Sequence, residues 1–187
     1  MDLAIYHPWL KEKGGAEKVV LEIAKKSHHD ITVYTLYYSE EETFSGFQEI
    51  DVVELGNGSR PESFLNEILY GLKSLTANIP TGKHDKLLIS EAGLGSLIAL
   101  RNNDLPVYCY CHTPLRAAIP EFRETYREEI STLMKPVFDL GVKVYSFLEK
   151  RAWKHFEKVA ANSETTKERV IEKGLADHED VDVLNPG

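Results

Sequence analysis

Short runs of β-favouring apolar residues alternate with longer stretches of helical periodicity along nearly the whole chain. The predicted strands cover residues 2–7, 31–36, 50–55, 87–89, 107–111, 159–162 and 181–184. Strands that alternate with helices are typical of a parallel sheet whose crossover connections are right-handed. The pattern therefore predicts an α/β fold, a Rossmann-like parallel β-sheet with helices on both faces.

Helical spacing of apolar residues marks five segments between these strands. They begin near residue 16, cover residues 64–75 and 93–100, run from residue 137 toward residue 156, and cover residues 164–173. In the first segment, Val19, Val20, Ile23 and Ala24 form one apolar face, and Glu17 is expected outside with the other charged residues. In the last segment, the flanking residues are a favoured N-cap, Ser163, and a favoured stop, Gly174.

The segment between the fifth and sixth strands is more polar. Residues 121–129 carry acids and bases that nearly cancel, so we expect a solvated helix face there. Pro136 is expected to interrupt the chain before the long helical segment. Five aromatic residues of that segment are predicted to lie in the core: Phe138, Tyr145, Phe147, Trp153 and Phe156.

Composition narrows the classes of protein to consider. The chain has 187 residues, 42% of them hydrophobic, and a formal net charge of −8, which suits one domain over residues 1–187. The acidic balance argues against nucleic-acid binding, which requires clustered Lys and Arg. No secretory signal pattern and no stretch of roughly 20 apolar residues is found. The two cysteines, Cys109 and Cys111, alternate on one predicted strand, and we expect buried free thiols.

Polar chemistry appears abruptly after the fifth strand. His112, Thr113 and Arg116 follow its carboxyl end, and Pro114 biases the chain away from helix at this point. Ligands of open α/β sheets bind at this edge, so the imidazole could act as a proton carrier or hydrogen-bond donor and the guanidinium could pair with an anion. The alternative is a surface loop with a satisfied histidine and a solvated arginine.

Gly14 and Gly15 directly precede the first predicted helix. Unpaired amides at a helix N-terminus bind anions, and glycines allow a phosphate to approach the backbone. Such a helix end contributes at most about 2 kcal/mol, about thirtyfold in affinity, so it could orient a diphosphate but hardly hold a nucleotide alone. The alternative is plain turn chemistry. A nicotinamide dehydrogenase is poorly supported because the G-x-G-x-x-G fingerprint is absent.

Ser90 and Glu91 stand at the carboxyl end of the fourth strand. Glu91 could accept hydrogen bonds from sugar hydroxyls, although capping of the next helix is the favoured interpretation. No metal site is predicted, because the sequence offers no spaced Cys and His ligands beyond the single histidine near the cysteines.

Four segments, taken in their order and spacing, resemble the N-terminal half of a retaining GT-B glycosyltransferase of the family 4 type. They are Gly14-Gly15-Ala16-Glu17, Cys111-His112-Thr113-Pro114-Leu115-Arg116, Ala161-Asn162-Ser163 with Thr166 and Arg169, and Val183-Leu184-Asn185-Pro186-Gly187. The resemblance implies that residues 1–187 form the acceptor-side domain. It also implies that the donor-binding C-terminal domain is absent from this chain and would be supplied by further sequence or a partner chain.

The same resemblance assigns roles to the candidate residues. Gly14 and Gly15 would contact the donor diphosphate across the cleft, and His112 would be the catalytic residue beside the reacting sugar. Arg116 would lie near the acceptor or a phosphate. Thr113 is a further acceptor-side candidate, as is Glu91 through the hydrogen bonds it could accept from sugar hydroxyls.

The chemistry implied is transfer of a hexose, with retention, from a nucleotide sugar to a glycan or lipid-linked acceptor. The leaving phosphate would assist, and no metal or other cofactor is expected. A cytoplasmic enzyme, peripheral at the cytoplasmic membrane face in some relatives, is the expectation for location. The chain alone is predicted to be inactive.

The sequence departs from the family pattern at one point, which concerns the identity of the acceptor. Relatives often continue from the His-Thr-Pro-x-Arg stretch into Tyr, Trp and Asp, whereas Arg116 here is followed by Ala-Ala-Ile-Pro. The alternative function is a free-standing Rossmann-like module that binds a nucleotide or sugar without catalysis.

Overall fold

A parallel sheet forms the centre of the computed structural model, which describes residues 1–56 and 71–186. Seven strands lie within these residues: β1 (Asp2–Tyr6), β2 (Asp30–Thr35), β3 (Asp51–Glu54), β4 (Lys86–Ala92), β5 (Val107–Thr113), β6 (Phe156–Ala161) and β7 (Val181–Val183). Their order is β3-β2-β1-β4-β5-β6-β7, and every pair is parallel. All seven predicted strands are confirmed, as is the Rossmann-like α/β class.

Helices cover both faces of this sheet. They are α1 (Gly15–Lys26), α2 (Pro120–Glu128), α3 (Lys135–Trp153) and α4 (Glu164–Glu172), with short 3-10 turns at Ser96–Leu100 and Arg116–Ala118 among others. Alternate residues of β1 separate the faces, because Ile5 packs with α1 whereas Ala4 and Tyr6 pack with α3. Most of the predicted helix over 64–75 lies outside the described residues. Of the part that is described, residues 71–73 are helical.

Two predicted helix boundaries are wrong. The helix expected over residues 93–100 is only the 3-10 turn Ser96–Leu100, because Gly93 adopts a φ of +107°, which no helix accommodates. The helix expected to run toward Phe156 ends at Trp153, and Phe156 opens β6. The break expected at Pro136 is found between α2 and α3, and Pro136 lies in the first turn of α3, where its missing N–H costs nothing.

Helix α4 is bounded as its sequence predicts. The Ser163 side chain accepts a hydrogen bond from the Thr166 backbone N–H at 3.2 Å, which makes Ser163 the N-cap. Gly174 follows the helix with a φ of +61°, the left-handed conformation typical of a helix stop.

Burial confirms part of the predicted core. Phe138, Tyr145 and Trp153 are buried, and both cysteines are buried free thiols. The prediction that Phe147 lies in the core is wrong, because its side chain is 60% exposed on the outer side of α3. The prediction that Glu17 lies on the solvent-exposed side of its helix is also wrong, because the residue is only 3% exposed. No helix in the described parts of the chain is long and apolar enough to cross a membrane.

Candidate functional site

The candidate site lies where the strand order of the sheet reverses. Strand β1 pairs with β2 on one side and β4 on the other, so connections diverge from this point. A crevice opens at such a point beyond the carboxyl ends of the strands. His7 directly follows β1 here, and Ser90 lies near the carboxyl end of β4.

An irregularity in the pairing of β4 with β5 sets the position of His112. Glu91 pairs with Cys111, whereas the next residue of β4, Ala92, pairs with Thr113. His112 is therefore the extra residue of a β-bulge, and bulges commonly aim a side chain into an active site. The ring of Tyr110 meets the imidazole edge to face, at 5.0 Å between centroids.

The Ser90 hydroxyl connects two imidazoles across the crevice. Its Oγ lies 3.0 Å from Nδ1 of His7 and 2.9 Å from Nε2 of His112. A hydroxyl has one proton to donate, so it can donate to one ring and accept from the other. Behind them, Oε1 of Glu17 lies 3.9 Å from Nε2 of His7. Hydrogen bonds through Ser90 therefore connect His7 with His112 and hold the His112 ring in place, while Glu17 lies behind His7 beyond hydrogen-bond distance.

Burial controls the charge of His112. Burial, with a smaller contribution from the neighbouring His7, lowers the pKa of the imidazole to about 4, while Glu17 opposes the shift. His112 is therefore neutral near pH 7, with one ring nitrogen able to donate a hydrogen bond and the other able to accept one. A neutral imidazole suits hydrogen bonding to a sugar hydroxyl and does not suit a role as a permanent cation.

Gly14 and Gly15 begin α1 without unusual backbone angles. Gly14 is extended, with a φ of −84°, and neither residue has a positive φ. A Cβ on Gly14 would collide with the Glu17 carboxylate, whereas a Cβ on Gly15 would meet no atom within 4 Å. These glycines are therefore not required by turn geometry. Gly14 leaves room for Glu17, and Gly15 leaves the helix end open.

An open cavity of about 1530 Å³ joins most of the predicted site residues. Its lining includes Gly15, His112, Thr113, Arg116 and Asn162. The structure therefore brings the helix end, the imidazole and the guanidinium to one surface. Arg116 is exposed, and its guanidinium lies 6.0 Å from the ring of Phe122. The Thr113 hydroxyl donates to the carbonyl of Pro114 at 3.1 Å.

Glu91 is placed differently from these residues. Its carboxyl is fully buried and accepts hydrogen bonds from the N–H groups of Gly93 and Gly95, at 2.5 and 3.3 Å. Burial, together with repulsion from Glu149, raises the pKa of Glu91 to about 7. The carboxyl therefore holds the segment between β4 and the 3-10 turn Ser96–Leu100, which is close to the expected capping role, although its partners precede that turn. Direct acceptor binding by Glu91 stays a prediction.

Two site residues were missed by sequence reasoning. His7 and Glu17 are both buried, and they meet only because α1 turns back over the end of β1. His7 carries the same signal that identified His112, a histidine directly after a strand, and could have been found by that rule. Glu17 has no comparable signal, because a charged residue in a first helical turn is usually solvated.

Within the described ranges, no group of three or more His, Cys, Asp or Glu side chains is placed to hold a metal ion. Cys109 and Cys111 are both buried, which raises the pKa of each thiol well above its usual value. Since thiolates are the metal-binding form of cysteine, the two residues are poor candidates for ligands.

Known structures share this fold. The chain aligns over its full length with 44% of Anabaena HepE, solved in complex with UDP and glucose, at 16% identity and a TM-score of 0.58. It aligns over 99% of its length with 45% of the lipopolysaccharide outer core galactosyltransferase WaaB in its apo form, at 12% identity and a TM-score of 0.54. A UDP-GlcNAc 2-epimerase from Methanocaldococcus jannaschii aligns with 98% of the chain and 45% of its own, at 12% identity and a TM-score of 0.51.

These likenesses establish the fold, and the chain spans less than half the length of each of the three proteins. No curated protein sequence matches the chain. The family assignment comes from a sequence model, that of Glycosyltransferase Family 4, which matches residues 13–187 and so includes Gly14, Gly15, His112 and Arg116. The chain therefore belongs to Glycosyltransferase Family 4.

Proposed function

We propose that this chain is the acceptor-binding half of a retaining hexosyltransferase that uses a nucleotide-sugar donor. The observation that carries the proposal is His112, which is held by Ser90 and His7 and lines the same open cavity as Gly15 and Arg116. HepE was solved with UDP and glucose, and WaaB is a galactosyltransferase, which supports a nucleotide hexose as donor.

The donor would be held mainly by a second domain. The chain spans 44% and 45% of HepE and WaaB, which leaves room for a domain of similar size in a complete enzyme. On this side, the amides at the start of α1 would orient the diphosphate, with Gly14 and Gly15 allowing its approach. A helix end contributes at most about 2 kcal/mol to anion binding, so we propose that the chain alone has no transferase activity.

His112 would act as a neutral hydrogen-bonding group at the reacting sugar. Its pKa of about 4 leaves it uncharged at neutral pH, so it would orient a hydroxyl or stabilise charge that develops on the sugar without itself supplying a cation. Ser90 and His7 would position the ring. The proton of the acceptor hydroxyl would pass to the leaving phosphate, and no metal or other cofactor is proposed.

The acceptor would enter beside Thr113 and Arg116. Both line the cavity next to His112, and an exposed guanidinium can pair with a phosphate or carboxylate of the acceptor. We propose a glycan or a lipid-linked sugar as acceptor, in the cytoplasm or at the cytoplasmic face of a membrane. Glu91 would contribute indirectly, by holding the turn that follows β4.

The experiment that tests this proposal measures whether the 187-residue chain alone turns over or binds nucleotide sugars. The chain is incubated with UDP-glucose, UDP-galactose and GDP-mannose, and both product formation and nucleotide binding are measured. We expect no turnover and no saturable binding below about 1 mM, because a helix end alone contributes too little affinity. Turnover by the chain would contradict the proposal, and micromolar binding without turnover would favour the free-standing binding module.

The intact mass of the native gene product decides the domain question. A mass near twice the 21.2 kDa of this chain would support an ordinary two-domain enzyme. A mass near 21.2 kDa would leave a partner chain as the source of the donor site, and the proteins that co-purify would then be identified. The anomeric configuration of the product, followed by NMR during turnover by the complete enzyme, tests retention.

A further inference from the structure

A hydroxyl group of helix α4 contacts the backbone of His112. The Thr166 side chain donates a hydrogen bond to the carbonyl oxygen of His112 at 3.2 Å, and Thr166 is only 4% exposed. Thr166 belongs to one of the four segments that resemble the family, yet the proposed function gives it no role. Since 54 positions separate the two residues in the chain, only the packed structure shows this contact.

The cap of α4 sets the position of this side chain. Ser163 accepts a hydrogen bond from the Thr166 N–H, so Thr166 is the third residue of the helix. In a capping box this position holds Glu or Gln, whose side chain returns to the cap residue. Here the position holds a threonine, and its hydroxyl donates to the end of β5. The first turn of α4 therefore ties the helix to the strand that carries His112.

The carbonyl that accepts this bond lies where the regular pairing of β5 with β6 stops. Cys111 and Ala161 are the last paired residues, and the Cys111 carbonyl accepts a hydrogen bond from the Asn162 N–H at 3.0 Å. His112 follows as the extra residue of the bulge with β4. A bulged residue lies outside the regular ladder, so its backbone needs other contacts to keep one orientation. The Thr166 hydroxyl supplies such a contact.

His112 is therefore held at two points. Ser90 contacts the ring at Nε2, at 2.9 Å, and Thr166 contacts the backbone carbonyl, at 3.2 Å. A single hydroxyl on the ring leaves the imidazole free to swing about that contact, whereas a fixed backbone restricts this motion. We propose that Thr166 is a positioning residue for the transferase reaction and acts by fixing the backbone of His112. This inference rests on the proposed function, in which His112 lies beside the reacting sugar.

A purely structural role for Thr166 makes a different prediction. A buried hydrogen bond from a side chain to the backbone stabilises a domain wherever it occurs, so its loss lowers stability without a specific effect on the site. Thr35 offers the comparison, because it is fully buried and its hydroxyl donates to the carbonyl of Tyr37 at 3.1 Å. Valine substitutions at the two threonines remove the same kind of bond, and only one of these bonds involves His112.

Turnover by the complete enzyme is the first measurement. Thr166→Val removes the hydroxyl and keeps the branched shape, Thr166→Ser keeps the hydroxyl, and Thr35→Val is the matched control. We expect Thr166→Val to lower kcat roughly tenfold with the donor KM unchanged, because a displaced imidazole stabilises the transition state less well. Thr166→Ser should restore most of kcat. Thr35→Val should keep kcat within about twofold of wild type, although its unfolding midpoint falls as well.

Histidine NMR of the 187-residue chain is the second measurement and needs no substrate. Burial, with a smaller contribution from His7, holds the pKa of His112 at about 4 against the opposing effect of Glu17. Thr166→Val changes neither of these neighbours. We expect it to raise the pKa of His112 from about 4 toward the ordinary 6.5, because a ring that swings into the open cavity regains contact with water. Thr166→Ser and Thr35→Val should leave the pKa near 4.

Three outcomes would overturn the inference. The first is a pKa of His112 that stays near 4 in Thr166→Val, which would mean that the backbone contact does not hold the ring. The second is a kcat of Thr166→Val within about twofold of wild type. The third is an equal loss of kcat in Thr35→Val, which would assign the effect to stability alone.

His112→Gln, assayed beside these variants, separates the inference from the proposed function. Its spectrum also assigns the His112 signal, which it lacks. A loss of kcat in His112→Gln without a loss in Thr166→Val would contradict the inference and leave the proposed function standing. A wild-type kcat in His112→Gln would contradict the proposed function, and the role of Thr166 in the reaction would fail with it.

Discussion

The buried Glu91 carboxyl makes the stability of this domain depend on pH. Its pKa is raised from 4.5 to about 7 in the folded chain, chiefly by burial. Above pH 4.5 the unfolded chain therefore loses this proton while the folded chain still holds it. The stabilising effect of the bound proton is complete below pH 4.5 and is lost as the pH rises through 7. The difference between the two pKa values corresponds to about 3 kcal/mol between pH 4.5 and pH 8.

Glu91→Gln removes this dependence and keeps a carbonyl oxygen for the N–H groups of Gly93 and Gly95. The second position of the side chain, Oε2, has no hydrogen-bond partner among the described residues, so an amide placed there costs some stability. That cost does not change with pH. The unfolding free energy of the variant, relative to wild type, should therefore rise by about 3 kcal/mol from pH 4.5 to pH 8.

Urea unfolding followed by circular dichroism at the two pH values measures this difference. The matched control is Glu128→Gln on the exposed side of α2, where the carboxylate is in water in both states. We expect the control difference to be the same at both pH values. A relative stability of Glu91→Gln that also does not change with pH would refute the reasoning, because it would mean that Glu91 is ionised in the folded chain.

Three further predictions concern the residues around the cleft. Gly15→Ala should not lower the unfolding midpoint, because no atom lies within 4 Å of the added Cβ and alanine favours the helix more than glycine does, but it should raise the KM for the nucleotide sugar in the complete enzyme. Gly14→Ala should raise this KM too, and it should lower the midpoint, because its Cβ collides with a buried carboxylate. Cys109 and Cys111 should resist Ellman's reagent at pH 8 until the chain is unfolded, since both are buried with a raised pKa; rapid labelling of the folded chain would contradict this. Ser90→Ala should lower kcat of the complete enzyme roughly ten- to a hundredfold while leaving the donor KM unchanged, because the serine positions an imidazole and does not bind the donor; a rise in KM with kcat unchanged would contradict that role.

The sheet and the location of the cleft followed from sequence because both depend on local patterns. Each strand carries its own run of β-favouring residues, and the carboxyl ends of parallel strands meet at one edge. The proximity of Gly15, His112 and Arg116 on one cavity is a consequence of that rule. Strand order within the sheet was not accessible in this way, because it depends on pairings between residues far apart in the chain.

The buried residues of the site, by contrast, take their positions from those distant pairings. His7 meets Ser90 only because β1 lies beside β4, although 83 residues separate them in the chain. Glu17 is buried because α1 packs its first turn against the same crevice. The burial of Glu91 was hidden as well, because β4 continues to Ala92 through residues that do not favour strands.

Periodicity also could not tell the two apolar sides of α3 apart. The spacing of Phe138 and Tyr145 is as helical as that of Val144 and Phe147, and only the packed structure shows that the first pair is inside. The wrong placement of Phe147 in the core came from this ambiguity.

The measurement that tests the central claim most directly is the turnover of a nucleotide sugar by the complete enzyme, wild type against His112→Gln. We expect the substitution to lower kcat about a hundredfold at pH 7, because a preorganised hydrogen bond to the transition state is lost. The wild-type rate should not show a titration near pH 6.5, since the pKa of His112 is about 4. A kcat within about twofold of wild type, with folding intact, would contradict the account and leave His112 a satisfied histidine of the fold.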